Sequence, residues 1–104
     1  MNDPYRLIIA PRAAFELAQI HDYIAKRSPQ AATTMVTRIL DGLERLCEVP
    51  HRTQVLSQPL GLKHPVRSLA IGPYLIYFRA LDSERVVRVL RIRHGARRQP
   101  RKFD

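Results

Sequence analysis

Residues 66–94 read VRSLAIGPYLIYFRALDSERVVRVLRIRH and are the most strand-like part of this chain. They contain three runs rich in branched and aromatic residues, the composition typical of β-strands. Gly72-Pro73 separates the first two runs, and polar residues around Asp82-Ser83 separate the last two. Because connections this short join neighbouring antiparallel strands, the sequence predicts a three-stranded meander.

The beginning of the chain predicts a strand followed by a helix. Residues 5–10, YRLIIA, are a short apolar run that predicts a buried strand and stops at Pro11. Proline suits the first turn of a helix, where its missing N–H has no partner to lose. Across residues 12–27, an apolar stripe with the helical spacing of three and four contains Ala14, Leu17, Ile20, His21 and Ile24.

A second helix is predicted over residues 30–48. Ser28 is a favoured N-cap, Pro29 a favoured first residue, and Pro50 ends the element. Gly42 within it indicates a close contact with another helix or with the sheet. The whole order is β-α-α-β-β-β, which predicts one α+β domain over residues 1–104. We expect an antiparallel helix hairpin packed on one face of a small, mainly antiparallel sheet.

The chain is strongly basic, with a net charge of +9 and a pI near 10.8. Residues 79–102 contain nine basic and two acidic side chains, and a basic tail is predicted from about residue 95 onward. Fifteen of the eighteen basic residues are arginines, which favour forked contacts with carboxylates and phosphates. We therefore expect an anionic partner, either nucleic acid or an acidic protein.

The composition argues against several other classes of protein. Cys47 is the only cysteine, so an internal disulfide is excluded. No apolar run approaches the roughly 20 residues of a membrane helix. His21, His51 and His64 lack ligand-like spacing, and no glycine-rich phosphate loop is present. We expect a cytoplasmic protein that uses no metal, no cofactor and no membrane.

Residues 74–78, YLIYF, are apolar on both sides of a strand. By alternation, Tyr74, Ile76 and Phe78 point to one face, and Leu75 and Tyr77 to the other. Two helices cover only one face of a small sheet. The second face is then either an exposed interaction site for a protein partner or is covered by the loop of residues 51–65.

Three pieces of the sequence, in this order, resemble the RelE/ParE superfamily of bacterial toxins, and its ParE-like branch in particular. They are DYIAKRSPQAA at residues 22–32, the Gly-Pro-Tyr hairpin at 72–74 leading into LIYF, and HGARR at 94–98. The resemblance implies the toxin of a type II toxin–antitoxin system, with roles in plasmid stabilisation and growth regulation. It implies a hetero-oligomer with a small antitoxin, whose disordered, acidic C-terminal segment wraps the toxin.

The same resemblance implies two possible targets. ParE-like toxins poison DNA gyrase and block replication, whereas RelE-like toxins cut mRNA on the ribosome. RelE-like enzymes carry basic residues on the middle strands, where this chain has Leu69, Ile71 and Leu75. The remaining candidates for an endoribonuclease site are Arg67, Arg79, Arg91 and His94. Because this set is sparse, we expect gyrase inhibition by binding rather than catalysis.

The predicted binding residues lie on the last strands and in the tail. Arg91 and Arg93 are expected on one strand face, with Leu90 and Ile92 on the other. The predicted target-binding residues are Arg91, Arg93, His94, Arg97, Arg98, Arg101 and Lys102. The predicted antitoxin-binding residues are Leu75, Tyr77, Arg79, Arg91 and Arg93. A third hypothesis is a non-toxic basic module that binds protein or nucleic acid.

Overall fold

The chain folds with the predicted order of elements and one additional short strand. The computed structural model describes residues 4–55 and 64–96. Its elements are β1 (Arg6–Ile9), α1 (Pro11–Ala25), α2 (Pro29–Leu46), a 3₁₀ turn (Pro50–Arg52), β2 (Gln54–Val55), β3 (Arg67–Ile71), β4 (Tyr74–Leu81) and β5 (Val86–His94). The two-residue β2 and most of the 3₁₀ turn lie in residues 51–65, which were predicted to be a loop.

The five strands form one sheet in the order β1-β5-β4-β3-β2. The meander of β3, β4 and β5 is antiparallel, as predicted, and β2 is antiparallel to β3. β1 is parallel to β5 and forms one edge. The predicted α+β fold, with two helices on a mainly antiparallel sheet, is therefore confirmed. Within the described residues, no helix is long and apolar enough to cross a membrane.

The first strand is less buried than its apolar sequence predicts. Arg6 and Ile8 are exposed, and Leu7 and Ile9 are half-buried. The reason is its place at the sheet edge, where it has one neighbouring strand and packs on the core with one face only. The prediction of a buried strand is therefore wrong in this respect.

The apolar stripe of α1 starts one residue earlier than predicted. The helix begins at Pro11, and Ala13 is its one fully buried residue. Ala14, assigned to the stripe from its spacing, is exposed. Leu17 and Ile20 pack against the main core as predicted.

Local signals at α2 are confirmed in detail. The Ser28 hydroxyl accepts a hydrogen bond from the Ala31 N–H at 3.1 Å and so caps the helix. Gly42 lies against the sheet, because a Cβ at this position would be 2.5 Å from the Ile71 Cδ1 atom. The glycine therefore sets how closely α2 can approach β3.

The pairing of β4 with β5 contains an irregularity. Tyr77 is opposite Arg91, but the next residue, Phe78, is opposite Val89. Leu90 is thus the extra residue in β5, as in a β-bulge. Such an insertion changes which residues of β5 share a face beyond this point.

The two faces of the sheet carry separate apolar clusters. Ile92 joins the main core beneath the helices, whereas Leu90 packs with Val66 and Tyr77 on the opposite face. The expectation that Leu90 and Ile92 share a face is therefore wrong, because the bulge shifts the alternation. Tyr77 and Leu90 are each only 3% exposed. The chain itself thus covers this second face at Tyr77, and Leu75 remains half-buried.

Candidate functional site

A buried ion pair joins α1 to the last strand. The Arg91 guanidinium donates to the Glu16 carboxylate three times, with Nε–Oε1, Nε–Oε2 and Nη2–Oε2 distances of 3.0, 3.1 and 2.8 Å. The side chains are 5% and 14% exposed, respectively. Glu16 Oε1 also accepts the Ile92 N–H at 3.0 Å. One carboxylate therefore holds both a guanidinium and the backbone of β5.

This pairing changes how the predicted role of Arg91 has to be understood. The residue was expected to present a free charge to an antitoxin or a target. Its guanidinium is instead buried against Glu16, so that an incoming anion would have to displace an internal carboxylate. Arg93 is half-buried, lies opposite Leu75 on β4 and forms no salt bridge within residues 4–55 and 64–96.

Four of the five predicted antitoxin-binding residues lie on the sheet face opposite the helices, whereas the Arg91 guanidinium reaches Glu16 of α1. Register places Leu75 opposite Arg93, Tyr77 opposite Arg91, and Arg79 opposite Arg88. Burial raises the pKa of Tyr77, and the charges of Arg93 and Arg91 act in the opposite direction. Arg79 and Arg93 therefore lie on the same face as Tyr77, which has little exposed surface itself, whereas the charge of Arg91 is neutralised by Glu16.

The arginine pair on this face is electrostatically unusual. Arg79 and Arg88 lie directly opposite each other on neighbouring strands. Like charges in such positions repel and destabilise a sheet. No acidic side chain forms a salt bridge with either of them in residues 4–55 and 64–96. An anionic group bound here would relieve the repulsion.

His94 ends β5 as predicted. Its ring lies edge-on to Tyr74, with centroids 5.6 Å apart. Its Nδ1 accepts the Ala96 N–H at 3.1 Å, and the Gly95 N–H donates to the Pro73 carbonyl at 2.7 Å. A neutral imidazole that accepts at Nδ1 carries its proton on Nε2. The side chain therefore helps to close the turn that follows the strand.

A groove lies between α1 and the end of β5, next to His94. Its volume is about 610 Å³. It is lined by Glu16, Gln19, Ile20, Tyr23, Ile24, Tyr74, Ile92, Arg93 and His94. Tyr23 is 68% exposed at its rim. On the helix side the lining combines Ile20, Tyr23 and Ile24 with the polar side chains of Glu16 and Gln19.

The four residues considered for an endoribonuclease site do not converge. Arg67 donates to the carbonyls of Thr53 and His51, at 3.1 and 3.4 Å, at one end of β3. Arg67 lies opposite Phe78 on β4, whereas His94 lies opposite Tyr74, four residues away on the same strand. At about 3.4 Å per residue, this separates Arg67 and His94 by roughly 14 Å along the strand direction.

A polar cluster at the end of the sheet opposite His94 was not predicted from the sequence. Asp82 Oδ1 accepts the Tyr5 hydroxyl at 2.8 Å and pairs with His51 Nε2 at 2.7 Å. The Arg85 guanidinium lies 4.7 Å from the centre of the Tyr5 ring. The Tyr5 hydrogen bond, followed by the one from His51, lowers the pKa of Asp82, and the same bond raises the pKa of Tyr5. The cluster ties the N-terminus, the 3₁₀ turn and the β4–β5 turn together.

Two further predictions concern the tail and metal binding. Arg97, Arg98, Arg101 and Lys102 lie outside the described residues, so their role in target binding stays a prediction. Within the part of the chain that the structure describes, no group of three or more His, Cys, Asp or Glu side chains could hold a metal ion. Cys47 is buried in the main core, and its burial raises the pKa of the thiol.

Comparison with known proteins gives a consistent result. The sequence model of a family described as ParE toxin of type II toxin-antitoxin system, parDE, matches residues 7–99. Among curated proteins, none has a significantly matching sequence.

Several solved structures share the fold. The chromosomal ParDE toxin–antitoxin system from P. aeruginosa matches with 26% identity and a TM-score of 0.69, over 86% of this chain and 95% of that one. The RelBE2 toxin–antitoxin complex from Mycobacterium tuberculosis matches with 21% identity and a TM-score of 0.65, over 93% and 98% of the two chains. The archaeal RelE–RelB complex from Pyrococcus horikoshii matches with 16% identity and a TM-score of 0.64, over 92% and 100%. The last two similarities concern the fold alone.

Proposed function

The chain belongs to the ParE toxin family of type II toxin–antitoxin systems, and from this premise we propose that it inhibits DNA gyrase by binding. A cognate antitoxin keeps it inactive until the antitoxin is lost. In this proposal, the surface of the toxin that contacts gyrase comprises Arg93, His94 and the basic tail that follows them. No side chain of the toxin undergoes covalent chemistry in this proposal.

The observation that carries the proposal is the separation of the possible ribonuclease residues. Cleavage by a 2′-OH requires a base and cations around one phosphate. Arg67 is engaged with backbone carbonyls at one end of β3, whereas Arg91 is buried against Glu16. His94 packs on Tyr74 at the far end of β4. This dispersal favours a toxin that acts by binding over one that cuts RNA.

An antitoxin partner is supported by charge and by the related structures. The face opposite the helices carries Arg79, Arg88 and Arg93 around the half-buried Leu75. Such a surface suits an acidic, amphipathic segment that folds as it binds. The similar structures named above are toxin–antitoxin systems from two bacteria and an archaeon. We propose that this chain likewise forms a hetero-oligomer with its antitoxin in the cytoplasm.

A supercoiling assay with purified gyrase tests the proposed target. The wild-type chain should inhibit supercoiling at micromolar concentration, and added antitoxin should restore it. Arg93→Ala should weaken inhibition, because this charge lies beside His94 at the end of β5. Arg45→Ala is the matched control, since it removes an arginine from the last turn of α2 that is more exposed than Arg93.

Two contrary outcomes would identify the alternatives. Normal supercoiling, together with discrete cuts in translated mRNA that disappear in His94→Ala, would establish a ribosome-dependent endoribonuclease. Normal supercoiling without growth arrest, together with nucleic-acid binding that falls steeply with salt, would identify a non-toxic basic module.

A further inference from the structure

The charged residues of the chain are divided unequally between its two layers. In the part of the chain that the structure describes, the strands contain six arginines and no Asp or Glu residue. The two helices contain three arginines and four acidic residues. The helix layer is therefore nearly neutral, whereas the sheet layer is strongly basic.

Two of the six strand arginines have partners within the chain. Arg67 donates to backbone carbonyls, and Arg91 pairs with Glu16. Within residues 4–55 and 64–96, no salt bridge or side-chain hydrogen bond engages the other four, which are Arg6, Arg79, Arg88 and Arg93. The described part of the chain thus leaves these four charges without a counter-charge.

Three of these arginines lie on adjacent strands, on the sheet face opposite the helices. Arg79 is two residues from Tyr77, which belongs to the apolar cluster of that face, and alternate residues of a strand share a face. Arg88 lies directly opposite Arg79. On β1, Leu7 packs on the main core, so the preceding residue, Arg6, points to the other face.

The three arginines are close enough to hold one phosphate group together. Directly opposite residues of antiparallel strands lie about 5 Å apart, which gives the spacing of the Arg79 and Arg88 backbones. Arg6 lies on the next strand, opposite Val86, which is two residues along β5 from Arg88. The backbones of Arg6 and Arg88 are therefore about 8 Å apart. Long side chains with a planar guanidinium fork can converge on one phosphate from these positions.

The surface around these arginines favours the backbone of duplex DNA over an acidic peptide or a single strand. Tyr77 and Leu90 are each only 3% exposed, and Ile8 is the one exposed large apolar side chain of the described strands. An amphipathic peptide therefore finds little apolar area to bury at this end of the face. Single strands are bound through bases that stack on exposed aromatic rings, which the buried Tyr77 cannot provide. A duplex backbone requires only cations and hydrogen-bond donors.

We propose that Arg6, Arg79 and Arg88 form a binding site for the phosphate backbone of duplex DNA. Their guanidinium groups donate charge-assisted hydrogen bonds to phosphate oxygens, independently of base sequence. Binding relieves the repulsion between Arg79 and Arg88. With gyrase as the target, the toxin then also contacts the DNA on which the enzyme acts. This consequence rests on the proposed function, whereas the site itself does not.

The test compares two double variants that remove the same number of charges. Arg79→Gln/Arg88→Gln removes the facing pair of the sheet, and Arg38→Gln/Arg45→Gln removes two exposed arginines of α2. Both variants keep the basic tail, so its contribution to binding is the same in each. The probe is a fluorescein-labelled DNA duplex of about 20 base pairs, and anisotropy gives its affinity between about 50 and 200 mM NaCl.

We expect the sheet variant to bind the duplex at least about tenfold more weakly than the wild type at about 100 mM NaCl. Its plot of log affinity against log salt should be flatter by roughly 1.8, or about 0.9 for each lost phosphate contact. The α2 variant should keep the wild-type slope. Thermal melting should show no loss of stability in the sheet variant, because it removes two facing like charges. Arg6→Gln, at an exposed position, gives an independent expectation of a slope flatter by about 0.9.

Equal duplex binding by the two double variants, with an unchanged slope for Arg6→Gln, would overturn the site. Tighter binding of a single-stranded RNA or a poly-glutamate peptide, with the same dependence on Arg79 and Arg88, would also overturn the assignment to duplex DNA.

The supercoiling assay separates this inference from the proposed function. If the wild type inhibits gyrase and its DNA binding does not depend on these arginines, the proposed function stands and the site is wrong. If its DNA binding depends on the arginines and gyrase is not inhibited, the site stands and the proposed target is wrong.

Discussion

Glu16→Gln is the substitution that tests the packing of α1 on β5 most directly. In the native chain, Glu16 neutralises the buried Arg91 guanidinium and accepts the Ile92 N–H. Glutamine has nearly the same shape and keeps an oxygen that can accept the Ile92 N–H. The substitution therefore removes the negative charge and leaves an uncompensated buried cation.

The expected loss of stability is large for a single substitution. Removing one partner of a buried ion pair costs about 3–5 kcal/mol. A domain of this size has an unfolding free energy of about 5–15 kcal/mol. Since the urea dependence of small domains is about 1–3 kcal/mol per molar, we expect the unfolding midpoint to fall by roughly 2 M.

Urea titration followed by circular dichroism measures this change. Glu44→Gln is the matched control, because Glu44 is exposed on α2, and we expect its midpoint to stay within about 0.3 M of the wild type. The apolar double variant Glu16→Leu/Arg91→Met should recover part of the loss, since no charge is then left buried but the Ile92 N–H loses its acceptor. If the urea midpoint of Glu16→Gln decreased by less than about 0.5 M, the reasoning would be refuted, because the pair would then contribute no more than a surface salt bridge.

Three shorter predictions concern other contacts. Gly42→Ala should destabilise the chain by about 1 kcal/mol, because the overlap with Ile71 outweighs the gain in helix propensity; Ile71→Val in that background should reduce the loss in a urea titration. The pKa of Asp82 is lower in the folded chain than its ordinary value of about 3.9. Its carboxylate therefore stabilises the fold at any pH above that ordinary value, and this stabilisation is lost as the pH falls through the folded-state pKa. The melting-temperature advantage of wild type over Asp82→Asn should therefore shrink from pH 5 to pH 2, and a constant advantage would contradict this. Native Cys47, whose thiol pKa is raised by burial, should react with a disulfide reagent at pH 8 at least about tenfold more slowly than in urea, and equal rates would show that it is accessible.

Much of the fold could be predicted because its signals are local. Pro11 and the Ser28-Pro29 pair mark helix starts through their own backbone preferences. The meander follows from short connections, which leave neighbouring strands no other arrangement. Even the close contact at Gly42 could be expected, since a glycine within a helix is otherwise unfavourable.

The candidate site was predicted less completely, because its geometry depends on distant residues. Period-two alternation assigned Leu90 and Ile92 to one face, but the bulge opposite Tyr77 and Phe78 separates them. Nothing in the sequence pairs Glu16 with Arg91, 75 positions away. The predicted free charge at Arg91 was therefore an incomplete description of that residue.

The sequence by itself determined the types and order of the elements, the family resemblance and the basic character of the last strands. These properties depend on residue composition and on spacing over a few positions. Only the tertiary structure decided which charges stay at the surface, where an edge remains open and which distant groups meet. Those outcomes depend on register and on helix placement: β1 ends beside Val89, α1 then crosses the end of β5, and Glu16 reaches Arg91 while His94 is left at the edge.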